Sequence, residues 1–234
     1  MRRFLRILGT VLTAAGILAL LWAFLVWQWQ DPFTALYTTW KQHQLTSQYD
    51  KRVAAFRAEE LSGASLATER RTIAAEALRY RRDTHRGEAI GRIRVPRMHL
   101  NMVLVDGTDH DTLKQGPGRD LRTFMPGENR LVYIAGHRTT YLAPFAHIDK
   151  IRKGDSVTLE VPYGTFRYRV FMHRIVDAND LAVLHSHGRE VVALQACHPR
   201  FFASHRYIVY AKLVSIEPRN APAFSAVAAP AAGG

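Results

Sequence analysis

The N-terminal stretch "MRRFLRILGTVLTAAGILALLWAFLVWQWQD" constrains this chain most, because it holds an uncharged, mainly apolar run from Ile7 to Trp27. As a helix those residues would be roughly 32 Å long, enough to cross a hydrocarbon core of about 30 Å. Arg2, Arg3 and Arg6 precede the run and should stay on the cytoplasmic side, which exports the rest of the chain. Trp22, Trp27 and Trp29 gather at the outer end, where indole rings favour the headgroup region. A cleaved signal peptide is the competing reading, but the run is long for one and "WQWQDP" lacks a small-residue cleavage site. The expected order is a cytoplasmic N-terminus at 1–6 and a membrane anchor at 7–27.

Residues 28–89 are rich in Ala, Arg, Glu and Leu, with "SGAS" (Ser62 to Ser65) as an interruption. Helices broken at that point fit this composition. Val53 with Phe56, and Ala74 with Leu78, fall at helical spacings. The segment reads either as a stalk holding a domain off the membrane or as a solvated linker. Asp31-Pro32-Phe33 reads as a turn at the membrane interface.

From residue 90 to 217 the texture changes to short runs of β-branched and aromatic residues: "GRIRVPRMHLNMVLV", "RLVYIAG", "DSVTLEVPYGTFRYRVFMH", "EVVALQA" and "RYIVYAKLV". Val157, Leu159 and Val161 alternate with polar residues, as do Phe166, Tyr168 and Val170 beyond "PYG", which predicts a hairpin. Many short strands with irregular connections predict a mainly β domain, a compact barrel or sandwich. Residues 218–234, "PRNAPAFSAVAAPAAGG", read as a disordered Ala/Pro-rich tail.

Composition excludes a largely disordered chain, since 47% of residues are hydrophobic. The net charge of +12 is spread along the chain without a nucleic-acid motif, so an anionic membrane surface or cell-wall polymer suits it and no nucleic-acid partner is expected. A single cysteine, Cys197, excludes an intramolecular disulfide. Most lone cysteines are small buried hydrophobes. Cys197, however, ends a strand-like run, where a side chain can emerge into a groove. A free thiol has a pKa near 8.5, and a neighbouring imidazolium or guanidinium would lower it and supply a nucleophile. His137 in "YIAGHRTTY" and Arg206 in "SHRYIVY" also sit at predicted strand ends. Spacing alone leaves the inert and catalytic readings open. His185 and His187 lack carboxylates, a second cysteine or zinc-like spacing, so neither a metal nor another cofactor is expected.

Taken together, "GRIRVPRMHLNMVLVDG", "LKQGPGR", "PGENRLVYIAGHRTTY", "FAHIDKIRKGDSVTLEV" and "LQACHPRFFASHR" resemble the sortases, membrane-anchored cysteine transpeptidases of Gram-positive surfaces. "GHRTTY" with "CHP" is most similar to class E. The resemblance implies a closed eight-stranded β-barrel with short helices, preceded by the transmembrane helix and helical stalk. It implies that Cys197 attacks the Thr–Gly carbonyl of a C-terminal LAxTG- or LPxTG-type sorting signal and forms a thioester. His137 would protonate the departing amine and deprotonate the incoming one, and Arg206 would hold substrate and stabilise the oxyanion. The implied partners are proteins bearing such signals and an amine acceptor, a cell-wall precursor or a pilin lysine. Tyr141 resembles the tyrosine associated with alanine at the second signal position, and Ala196 and His198, flanking the thiol, are expected to line the substrate groove.

Some positions depart from the family pattern. The strand before the nucleophile reads "ALQAC", with Ala193 and Ala196 where the family has threonines, and Arg119 stands where many relatives have histidine. Asp31-Pro32-Phe33 resembles the lid motif of pilus sortases but adjoins the anchor, hence the interfacial-turn reading. A sortase-like binding module is the alternative function. An L,D-transpeptidase would place a cysteine after "SHG", and none follows Ser186–Gly188; an NlpC/P60 peptidase would place its cysteine before its histidine.

Overall fold

The computed structural model describes residues 2–29, 32–57 and 65–226. Helix α1 (Arg2–Trp29) contains the apolar run, and its window Arg2–Phe24 is long and apolar enough to cross a membrane. Helix α2 (Pro32–Ala55) starts with proline in its first turn, where the missing N–H costs nothing. Asp31 of the expected interfacial turn lies outside the described residues, as does "SGAS" apart from Ser65.

Helices α2 and α3 (Leu66–Asp83) both pack on the domain that follows. Leu45 and Tyr49 of α2 are buried against Ala89, Val103 and Val105. Gln42 acts as a strand neighbour: its Nε2 donates to the carbonyls of Val103 and Gln115, and its Oε1 accepts from Val103 N–H. Ile73, Ala77 and Tyr80 of α3 enter the main core. Phe56 meets the Tyr80 and Tyr163 rings with centroids 5.9 and 6.0 Å away. A polar segment with only a few apolar residues per helix reads as solvated until its partner surface is known.

The strands are β1 (Ala89–Val95), β2 (Leu100–Asp106), β3 (Gly118–Arg119), β4 (Leu131–Ala135), β5 (Ser156–Val161), β6 (Gly164–Asp177), β7 (Val191–His198), β8 (His205–Pro218) and β9 (Phe224–Ser225). A short helix, α4 (His110–Leu113), separates β2 from β3 and is capped by Asp109, which accepts from Thr112 N–H. The sheet order is β6-β5-β1-β2-β3-β4-β7-β8, and pairing of β6 with β8 closes these eight strands into a barrel. Closure removes the free edges that an open sheet would expose. The predicted hairpin is β5–β6, joined at Val161 and Gly164.

The interior is apolar, filled by Ile90, Ile93, Leu104, Phe166, Val192, Leu194 and their neighbours. A buried ion pair interrupts it. Arg119 donates from Nε to Asp106 Oδ1 at 2.8 Å and from Nη1 to Thr123 O at 2.6 Å, while Thr84 Oγ1 lies 3.1 Å from Asp106 Oδ2. Part of the stretch expected to be a disordered tail forms strand instead. Strand β8 runs through Pro218, and Phe224 and Ser225 pair with Ile216 and Ser215. Residues 227–234 lie outside the described residues.

Candidate active site

Strands β4, β7 and β8 lie side by side, β4 parallel to β7 and β8 antiparallel to it. Their period-two alternation sorts the side chains. Val132, Ile134, Val192, Leu194, Ala196, Val209 and Ala211 face the barrel interior. Leu131, Tyr133, Ala193, Ile208 and Tyr210 form a second apolar cluster on the outer face. Continuing the outer set towards the strand ends gives Ala135, Gln195, Cys197 and Arg206, which line one cleft on the outside of the barrel together with His137.

The register explains why these three residues meet. Cys197 is directly opposite Arg206 across β7–β8. Ala135 is level with Gln195, and Gly136 N–H donates to Gln195 O at 3.0 Å, so His137 comes level with Cys197. Glycine at 136 has a steric cause: a Cβ there would lie 2.9 Å from the Phe145 ring. Phe145 is buried there, and its N–H donates to His137 O at 3.0 Å, closing the loop that carries the histidine.

The His137 imidazole is partly buried. Its Nε2 is buried and makes no hydrogen bond among the described residues. Burial first, then His110, holds its pKa below the ordinary histidine value, which favours the neutral ring. The Tyr141 ring leans on it with centroids 5.1 Å apart. Tyr141, Leu142 and Ala143 are consecutive non-glycine residues in the left-handed region, at φ 53°, 60° and 39°. Such conformations cost roughly 1–2 kcal/mol per residue. The loop is held by Ala143 N–H to Thr140 O and by Tyr141 N–H to Thr34 Oγ1 of α2, at 2.8 and 3.1 Å. Arg206 is fixed through its own turn, donating from Nη1 to the carbonyls of Ala203 and His205.

Two of the expected groove residues lie elsewhere. Ala196 is fully buried in the barrel core, because alternation that turns Cys197 outward turns its neighbour inward. Gln195, two residues before the thiol, lines the cleft instead. His198 likewise points away from the thiol's face: its Nδ1 meets Arg138 Nη1 at 3.1 Å and its ring lies 5.9 Å from Tyr207. Tyr141 packs against His137. His185 and His187 lie beside a separate groove over the outer apolar cluster.

Sequence reasoning missed Arg138. Its side chain is only 4% exposed, ion-paired to Asp149 at 3.2 Å and donating to Cys197 O at 3.1 Å. Among 32 lysines and arginines nothing in the sequence singled it out. Asp120 was missed too. It lines the cleft, pairs with Arg122 at 2.7 Å and accepts from Thr108 Oγ1. Burial alone would raise its pKa, but hydrogen bonds from Arg122 hold it below the usual carboxylate value.

The sortase-domain family model matches residues 93–214. Sortase D of Bacillus subtilis (strain 168) is 31% identical over 170 residues, 71% of this chain and 82% of that protein. Among solved structures, a Clostridium perfringens sortase D5 transpeptidase superposes with a TM-score of 0.59 at 24% identity, over 74% of this chain and 98% of its own. Sortase E from Streptomyces avermitilis superposes with a TM-score of 0.53 at 29% identity, over 58% of this chain and 93% of its own.

Proposed function

The chain belongs to the sortase family of cysteine transpeptidases, and on that premise we propose that Cys197, His137 and Arg206 carry out transpeptidation outside the membrane on proteins bearing an LAxTG- or LPxTG-type signal. The observation that supports this reading best is the meeting of the three side chains in one cleft: Cys197 is paired in register with Arg206, and His137 leaves the neighbouring parallel strand.

Neutral His137, with Nε2 unengaged, takes the Cys197 thiol proton as Sγ attacks the carbonyl of the signal's threonine. Arg206 meets the negative charge that develops on the carbonyl oxygen. The Thr–Gly C–N bond then breaks, and the proton held by His137 passes to the departing amine. An acyl thioester remains on Cys197. An incoming amine from a cell-wall precursor or pilin attacks it and gives a proton to His137. The new amide forms, and the thiolate leaves and recovers a proton. Helix α1 anchors the enzyme, with Arg2, Arg3 and Arg6 on the cytoplasmic side.

Mass spectrometry of the full chain incubated with LAxTG and LPxTG peptides in competition, with and without a glycine amine, tests the reading. An acyl adduct on Cys197, discharged by the amine to a ligated peptide, is the expected result. A free, alkylatable Cys197 that forms no adduct with either peptide would favour the sortase-like binding module.

A further inference from the structure

The second and third turns of α2 present an apolar patch to solvent. Leu36 is 72% exposed, Tyr37 39% and Trp40 54%. Spacings of three and four residues put them on one side of the helix. The opposite side is clamped to the barrel, through Thr38 Oγ1 donating to Lys114 O at 2.9 Å, the three Gln42 hydrogen bonds and buried Leu45. The fold therefore fixes the patch facing outward. Lys41 Nζ lies 5.0 Å from the Trp40 ring centroid. Leucine, tyrosine and tryptophan beside a lysine suit the boundary between headgroups and acyl chains, where amphipathic rings and snorkelling ammonium groups are at home.

What covers this patch follows from its place in the chain. Helix α1 ends at Trp29 and α2 begins at Pro32, so Leu36 is seven residues past the end of α1. Even a fully extended chain of that length spans only about 25 Å, and most of it is helical. Resting on the reading of α1 as a membrane anchor, we infer that the Leu36–Tyr37–Trp40 face of α2 docks into the headgroup layer of the bilayer that α1 crosses. The catalytic domain is then seated on the membrane by a second contact. Tyr37 touches Tyr141 edge-on with ring centroids 6.5 Å apart, and Tyr141 touches His137. The histidine wall of the cleft thus lies two ring contacts from the membrane surface.

The test uses the full chain in nanodiscs of phosphatidylglycerol and phosphatidylethanolamine, with Cys197→Ala removing the native thiol. An environment-sensitive fluorophore is placed on one cysteine at a time: Leu36→Cys and Trp40→Cys in the patch, Leu18→Cys in α1, and Arg167→Cys at the far end of the barrel. With lipids carrying a quencher near the headgroup, the Leu36 and Trp40 labels are expected to lose emission, because the headgroup layer is where the patch would sit. The Leu18 label should be quenched by a mid-chain quencher, and the Arg167 label by neither. Quenching at Leu18 with Leu36 and Trp40 as silent as Arg167 would overturn the docking while leaving the anchor intact. Silence at Leu18 would remove the anchor and the docking with it. Patch labels that shift blue without quenching, and do so only when two chains share a disc, would assign the patch to a second copy and overturn the inference.

Discussion

Arg138 Nη1 lies 3.1 Å from the carbonyl oxygen of Cys197 and 3.1 Å from His198 Nδ1, so one buried guanidinium ties the end of β7 to the loop following β4. Its Nη2 reaches Asp149 at 3.2 Å. The two strand ends that carry the thiol and the imidazole therefore share a brace that touches neither reactive atom.

Arg138→Met keeps most of the side-chain volume and removes the brace. Its expected effect on peptide ligation is a fall in kcat of about ten- to a hundredfold, the scale of a small misplacement of reacting groups. KM should change little, because the cleft wall is untouched. Arg138→Lys should recover only part of kcat, since an ammonium cannot reproduce the planar fork. Equal losses in kcat and thermal stability with full recovery in the lysine variant would point to a merely structural role.

His137 titrates below the ordinary histidine value through burial and the nearby His110. Its folded pKa is thus depressed relative to about 6.5 in the unfolded chain. The stability it contributes is present above about 6.5 and is lost as pH falls from there through the folded value. The imidazole should accordingly titrate on the acid side in NMR spectra of the full chain. His110→Gln should raise its pKa while leaving it below 6.5, because burial is the larger cause. A shift above 6.5 in that variant would make His110, not burial, the dominant influence.

The buried Arg119–Asp106 pair, with Nη2 2.6 Å from Oδ1, has side chains 2% and 1% exposed. Removing one partner leaves the other charged in an apolar interior, at a cost of about 3–5 kcal/mol. Asp106→Leu and Arg119→Met are each expected to lower the denaturation free energy by that amount. The double variant Asp106→Leu/Arg119→Met should lose less than the two single losses added together. Additive losses in urea denaturation would show that the pair is not coupled.

The strands were readable because alternation along β5 and β6, and the apolar run before Cys197, are local signals; the closed barrel, rather than a sandwich, was implied by the family resemblance. The two-residue β3 is too short for any periodicity, and β9 lies in a stretch whose composition suggests disorder. The helices α2 and α3 were readable as helices but not as packed ones. Gln42 makes its hydrogen bonds to residues 61 and 73 positions away, a distance over which a single sequence carries no pattern. His137, Cys197 and Arg206 were legible as candidates because a nucleophile, a base and a cation at successive strand ends form a chemical pattern. Ala196 was misjudged for want of one fact, which face of β7 looks outward. Arg138 was invisible because its role depends on a carbonyl 59 residues away.

Glu190, the residue immediately before β7, is buried and accepts hydrogen bonds from Gly127 N–H, Asn129 N–H and Tyr168 Oη. Gly127 adopts φ 98°, a conformation glycine takes without strain, which turns its N–H towards the carboxylate. Burial outweighs these donors and raises the Glu190 pKa from 4.5 to about 7. Because the folded value lies above the unfolded one, the associated stability is full below about 4.5 and is lost as pH rises through about 7. Urea denaturation of Glu190→Gln should show a lower plateau, because the amide cannot accept every one of those hydrogen bonds. The difference from the native chain should shrink as pH rises from 5 to 8. Tyr168→Phe removes a donor that favours the ionised form, so the fall should move to higher pH in that variant. If the native chain and Glu190→Gln keep a constant difference across this range, the carboxyl does not titrate there and is ionised throughout.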